Sequence, residues 1–257
     1  MLVLLSCAKT MSAVSKVKVP LTTIHRFQKE AAEIALQMSQ FSVDELERLL
    51  RVNAKIAVEN YKRYQAFHAE TTPELPALLA YTGIVFKRLN PKDFSAEDFG
   101  YAQEHLRLTS FCYGLLRPLD VIRAYRLEGD VVLPELGNQT LFSYWRSRLT
   151  DTFIEDIRSA GGILCNLASD EMKSLFDWKR VESEVRVVTP EFHVWKNGKL
   201  ATIVVYTKMS RGEMTRFILK NKIGNPEELK GFSWEGFEFD ESLSDERKLV
   251  FINGMGE

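Results

Sequence analysis

A chain of 257 residues can bury a full core within one domain. With 45% hydrophobic residues, 27% charged residues and a formal net charge of −1, it reads as a soluble globular protein, so any basic surface has to be local. No apolar run approaches the roughly 18 residues of a membrane span, and residues 1–5 lack the basic flank and long apolar core of a signal peptide. The three cysteines, Cys7, Cys112 and Cys165, are too few and too scattered for a disulfide framework or a zinc site, and they fit a reducing cytoplasm.

In chain order, Leu2–Leu5 reads as a short buried strand. Ile24, Phe27, Ala31, Ile34, Ala35 and Met38 keep helical spacing and predict an amphipathic helix over 22–40. Ser42 with Glu45 forms a capping box for a second helix, and a third starts at Ala54 with Ala57, Tyr61 and Tyr64 on one stripe. Ser95 and Asp98 open another, with Phe99, Ala102 and Leu106 turned inward. That helix is expected to end near Ser110. Gly114 then permits a positive-φ turn, and Pro118 suits the first turn of the next helix. Leu141, Trp145 and Leu149 mark a helix that Gly161 and Gly162 stop. Strands cluster in the second half. Residues 163–167 form an apolar run, 184–194 and 200–206 flank the hairpin signal Asn197-Gly198, and 236–240 and 248–252 follow. Ser210 with Glu213 forms a capping box for a last helix, with Met214, Phe217 and Ile218 facing the core. The pattern is a mixed α/β chain of the α+β kind, helix-rich in its first half. It is expected to form a single compact domain over 1–257, a length that also admits two lobes. Helices and strands do not alternate cleanly enough for a doubly wound sheet.

Four stretches carry candidate chemistry. Ser6-Cys7-Ala8-Lys9-Thr10 follows the opening strand, where loops form ligand crevices. Lys9 there suits a phosphate or carboxylate, or simply a solvated loop. Asn166 to Glu171 follows a second strand. Ser169 suits an N-cap, while Asp170 and Glu171, as helical neighbours, do not share a face and are no paired acid–base unit. Between Lys208 and Lys222 stand five basic residues (Lys208, Arg211, Arg216, Lys220 and Lys222) and one acid, Glu213. A helix N-terminus with such neighbours suits phosphate, and a solvated helix face is the plainer reading. Around Gly114, Arg107, Arg117, Arg123 and Arg126 outnumber Glu104 and Asp120. This stretch is similar to a helix-hairpin-helix, whose backbone amides hold a DNA phosphate without reading bases, although Leu116 stands near the place of the second glycine. An ordinary helical hairpin with an arginine fringe is the alternative. His25, His68, His105 and His193 are isolated, so no iron or zinc site is expected. No phosphate loop, nucleophile elbow or dinucleotide fingerprint is present, and neither a catalytic set nor a cofactor is expected.

Taken together, LVLLSCAKT at 2–10, the arginine-rich stretch 102–128, NLASDEM at 166–172 and YTKMSRGEMTRFI at 206–218 resemble the YaaA family of peroxide stress proteins, from residue 1 to about 251. The family usually has proline where Cys7 stands, but Ser6 and Lys9 match. The resemblance implies a family-specific fold with a cleft and a cytoplasmic bacterial protein of the response to hydroperoxide that keeps free iron low. It also implies binding to double-stranded or branched DNA in a positively charged cleft. It places Lys9, Arg107, Arg117, Arg126, Lys208, Arg211 and Arg216 there, with Ser6, Gly114, Asn166, Ser169 and Asp170 as further DNA- or ligand-binding candidates. A monomer with no membrane partner is expected. The rival is an enzyme acting on a small phosphate- or carboxylate-bearing substrate, with Ser6, Lys9, Asn166, Ser169, Asp170, Lys208 and Arg211 lining its site. If the strand-end loops open on one edge, Lys9, Asp170 and Arg211 should surround one cleft, with Asp170 as the ion-pair partner of a basic side chain.

Overall fold

The computed structural model describes residues 1–196 and 198–254, so Asn197 of the expected turn lies outside the described residues. The first half runs β1 (Leu2–Leu5), β2 (Thr23–Ile24), α1 (Gln28–Met38), α2 (Val43–Leu50), α3 (Ala54–Gln65), β3 (Leu75–Pro76), α4 (Ala77–Ala80), α5 (Ile84–Leu89), α6 (Ala96–His105), β4 (Leu106–Ser110), β5 (Gly114–Leu116) and β6 (Asp120–Ile122). The second half runs β7 (Val132–Leu133), β8 (Gln139–Thr140), α7 (Leu141–Ser159), β9 (Ile163–Asn166), α8 (Asp170–Lys173), α9 (Trp178–Glu184), β10 (Arg186–Lys196), β11 (Lys199–Ala201), α10 (Val204–Asn221), β12 (Phe237–Asp240) and β13 (Lys248–Asn253).

One sheet organises the molecule, in the order β12-β13-β10-β9-β1-β4-β5, with β11 on β10. The five inner strands, β13 through β4, are parallel, and β12 and β5 close the edges antiparallel. β1 is an inner strand, between β9 and β4. Leu2, Val3, Leu4 and Leu5 are all fully buried, as a strand covered on both faces must be. The chain leaves β1 toward β4 on one side, whereas β9, on the other side of β1, leads away toward β10. The strand order therefore reverses between β1 and β9, and that boundary opens a crevice at the strands' carboxyl ends. The sequence hid this parallel core because β1 and β4 are separated by a long helical insertion and the edges run antiparallel.

Several boundaries differ from expectation. The helix expected over 22–40 is shorter. Thr23–Ile24 instead pairs with β6, and the Thr23 hydroxyl donates to Asp120 at 2.6 Å. Ile24 continues the apolar stripe yet is 61% exposed, so its spacing was coincidental. The stretch similar to a helix-hairpin-helix is a β-hairpin. α6 passes directly into β4, whose five residues are all buried, and Ser110 faces Gly114 in an antiparallel register. Leu106 thus starts a strand, and Pro118 lies between two strands rather than opening a helix. The positive φ expected of Gly114 is present at +72°. A Cβ there would also lie 2.7 Å from the Trp145 ring, so both backbone and packing require glycine.

Residue 184 ends α9 rather than starting a strand, and the strand expected over 200–206 is only Lys199–Ala201. From Val204 the chain is helical, so Ser210 sits fully buried in the second turn of α10 and caps nothing; the N-cap is Ile203. Gly212 lets α10 press against α5, since a Cβ there would meet the Val85 carbonyl oxygen at 2.3 Å. The capping boxes at Ser42/Glu45 and Ser95/Asp98, and the stop at Gly161 and Gly162, form as expected.

Candidate functional site

The crevice between β1 and β9 is a cleft of about 320 Å³. Its floor is Ser6–Thr10 after β1 and Leu167, Ser169, Glu171 and Met172 after β9. Residues 125–127 and Phe111 form one side, residues 83–86 at the start of α5 another, and Lys208 and Arg211 reach in from α10.

The two strand ends are tied through hydroxyls. The Ser169 N–H donates to Ser6 Oγ at 2.8 Å, and the Ser6 hydroxyl donates to Ser169 Oγ at 3.3 Å. Ser169 is therefore the N-cap residue of α8 by position, but its side chain faces Ser6 rather than capping the helix. Cys7 lines the same floor. Its N–H donates to Thr109 Oγ1 at 3.2 Å, and burial pushes its thiol up to about 12, against the lowering influence of Thr109. A thiol so placed stays protonated and is a poor nucleophile.

Cations dominate the walls. Lys9 Nζ stands 2.7 Å from Glu128 Oε2, and an Arg126 guanidinium nitrogen lies 3.6 Å from Glu128 Oε1. The Glu128 side chain is only 6% exposed, and both of these cations lie against it. Arg126 Nε and Arg211 Nε are both buried without a hydrogen-bond partner among the described residues. Burial pushes the Arg211 guanidinium down from its ordinary pKa, and the Asp170 carboxylate only partly offsets this. Among the described residues Lys208 has no ion-pair partner, and Glu171 is the one carboxylate on the lining.

A second, wider groove of about 930 Å³ meets the cleft at Phe86, which lines both. Lys16, Lys18, Lys87 and Lys92 line it with no Asp or Glu. Among the described residues none of these four lysines has an ion-pair partner.

Ser6, Lys9, Arg126, Ser169, Lys208 and Arg211, drawn from four distant stretches, thus converge on one cleft. Asn166 lies just beneath it, where its Oδ1 accepts the Ala168 N–H at 3.2 Å and shapes the turn after β9. Asp170 does not line the cleft. Its side chain is 91% exposed and pairs with Lys173 at 2.8 Å, which with its hydrogen bond holds the carboxyl below its usual range. The remaining candidates lie off the cleft and are engaged within the fold. Arg107 is buried against Asp156 at 2.6 Å, Arg117 clasps Asp120 at 2.8 Å, Gly114 packs on Trp145, and Arg216 holds Asp93 at 2.5 Å. Residue patterns alone missed Glu128 and the lysines of the groove, whereas Glu171, expected with Asp170 at the mouth of the crevice, does line it. Lys16 and Lys18 lie in an irregular loop, where charge is the default and carries no signal.

Among the described residues, no three or more His, Cys, Asp or Glu side chains are grouped to hold a metal ion, and no helix is long and apolar enough to cross a membrane. A family model described as "Peroxide stress protein YaaA" matches residues 1–243. The chain is 99% identical to a UPF0246 protein of Bacteroides thetaiotaomicron over 257 residues, the whole of both chains. It is 78% identical to one of Bacteroides fragilis over the whole of both, and 34% identical to one of Saccharophagus degradans over 254 residues, 98% of each.

Proposed function

From the premise that this chain belongs to the YaaA family of peroxide stress proteins, we propose that it serves the peroxide-stress response from the cytoplasm by binding double-stranded or branched DNA through the cleft and its neighbouring groove. The observation that carries this reading is the set of four lysines that have no ion-pair partner among the described residues and no intervening acid, leading into a cleft whose arginines are not fully satisfied among those residues. Such an arrangement contacts phosphates and backbone shape, and offers no base-reading helix. If roughly four to six phosphates are neutralised, affinity for any duplex falls by about two orders of magnitude or more between about 50 and 200 mM salt. Titration of labelled duplexes of unrelated sequence tests this. A flat salt response, or unchanged affinity when Lys16, Lys18, Lys87 and Lys92 are all replaced by Gln, would overturn it.

Lowering of free intracellular iron is proposed as part of the same protection, and it rests on the family resemblance. Electron paramagnetic resonance of whole cells under peroxide measures it: a strain without the protein should hold more chelatable iron. A second reading, an enzyme acting on a small phosphate- or carboxylate-bearing substrate, is favoured by one observation. The two buried guanidinium nitrogens lie where parallel sheets place their ligands, at the reversal of strand order. Turnover of a small phosphoester by the purified protein would establish it.

A further inference from the structure

We propose that the cleft between the ends of β1 and β9 takes one nucleoside monophosphate unit, with its phosphate on Arg126 and Arg211 and its base against the wall formed by Phe86 and Phe111. This deepens the reading of the cleft as an anion site and rests on it.

The phosphate half follows from the arginines. Buried side-chain donors are nearly always satisfied, and leaving one unmade is costly. Here Arg126 and Arg211 both line one cavity, each with an Nε that is buried and unpartnered among the described residues, and a carboxylate already engages only one of the two, Arg126. A ligand in the cavity would meet guanidinium groups that the protein itself leaves incompletely bonded. A phosphate has enough oxygens to serve two guanidinium forks and still leave one for Lys208, which has no ion-pair partner among the described residues. Lys9 is less available, because it is held by Glu128 at 2.7 Å.

The base half follows from size and polarity. At about 320 Å³ the cleft has room beyond a phosphate and falls at the small end of ligand sites. Its remaining wall is apolar, with Phe86 and Phe111 among Leu127, Leu167 and Met172. A sugar phosphate would find few free partners for its hydroxyls there beyond Thr10 and Glu171. Ser6 and Ser169 are bonded to each other, and the Tyr125 hydroxyl is shared with Tyr81 at 2.9 Å and Ser110 at 2.6 Å. A flat ring suits such a wall, as bases suit aromatic and apolar surfaces in other nucleic-acid sites. The lysine groove that meets the cleft at Phe86 would deliver a run of phosphates to its mouth. The unit is therefore either a free mononucleotide or one nucleotide turned out of, or ending, a DNA strand.

Isothermal titration of the full chain with dAMP, deoxyadenosine and inorganic phosphate tests the proposal, with duplex titration alongside to report separately on DNA binding. dAMP is expected to bind at least about tenfold more tightly than either fragment, and Arg211→Gln to lose roughly tenfold or more, the value of one charge-assisted pair. Circular dichroism checks the fold of that variant. Lys208→Gln, at the exposed rim, is the second variant and should weaken dAMP several-fold. Equal affinity for dAMP and phosphate, unchanged affinity in both variants, or no dAMP binding while duplex still binds would each overturn the proposal and leave the DNA reading standing. Competition separates the two sources. Displacement of a labelled duplex by dAMP assigns the pocket to a DNA nucleotide, and simultaneous binding assigns it to a free one.

Discussion

Two arginine-bearing regions behave in opposite ways. In the hairpin of β4 and β5 and its continuation, Arg107, Arg117 and Arg123 are each held by a carboxylate, Asp156, Asp120 and Glu74. Around the cleft, Arg126 shares one carboxylate with Lys9, and Arg211 has no contacting partner among the described residues. The hairpin region carries more arginines and reads as the stronger basic patch, yet its charge is consumed internally. Basicity along a stretch does not mark a binding surface; basicity left over after folding does. α10 repeats the contrast within one helix. Its early Lys208 has no ion-pair partner among the described residues, whereas Arg216 and Lys220, farther along, hold Asp93 and Asp98 at 2.5 and 2.8 Å.

The largest expected break of this comparison is Arg107→Ala. The arginine is buried, donates to Asp156 at 2.6 Å and to the Gln103 carbonyl at 3.1 Å, and its loss should cost about 3 kcal/mol of stability while sparing DNA affinity per folded molecule. Arg211→Ala should show the reverse, with stability changed by less than about 1 kcal/mol because no partner is orphaned, and anion binding reduced. Urea unfolding of both variants, paired with binding titrations, checks the two outcomes together. If Arg107→Ala were neutral to folding yet abolished binding, the division between the regions would be wrong.

A smaller effect concerns acid. Burial alone would raise the Asp98 carboxyl, but the Lys220 ammonium and the Ser95 N–H and hydroxyl hold it at about 2, below its ordinary 3.8. A carboxyl depressed by folding contributes stability that is fully present above its unfolded pKa. That contribution is therefore expected to be complete above about pH 5 and to fade as pH falls through 4 toward 2. Stability curves of the parent and Asp98→Asn should converge over that range. Parallel curves down to pH 2 would show that the α6–α10 pair adds nothing.

The smallest effect is expected at Cys7. Its thiol lines the cleft but is pushed up to about 12 by burial, so it does not form a thiolate for peroxide to oxidise near neutral pH. Cys7→Ser should leave DNA affinity and peroxide survival unchanged. Loss of survival by a folded Cys7→Ser protein would move the chemistry of the cleft from its cations to its sulfur.

What the sequence determined by itself is the local grammar. The buried run Leu2–Leu5, the boxes at Ser42/Glu45 and Ser95/Asp98, the positive φ of Gly114 and the stop at Gly161 and Gly162 each depend on residues a few positions apart, and each formed. Local grammar also misled where two patterns competed. LRLTS continued a helical stripe until pairing with β1 made it a strand, and the Ser210/Glu213 box was overridden when α10 began at Val204. The cleft was half legible. Lys9, Asp170 and Arg211 are expected to meet because each reads in sequence as following a strand; Lys9 does line the cleft from a strand end, Asp170 turns outward to Lys173, and Arg211 reaches the cleft from within α10. Which cations remain free was not visible, because an arginine's partner is chosen across space. Arg107 finds Asp156 49 residues away and Arg216 finds Asp93 123 residues away, while Arg211, on the same helix as Arg216, finds none in contact among the described residues. Pairing satisfies charge wherever the fold brings opposite signs together, so only the tertiary structure decided which basic residues were left to meet a ligand.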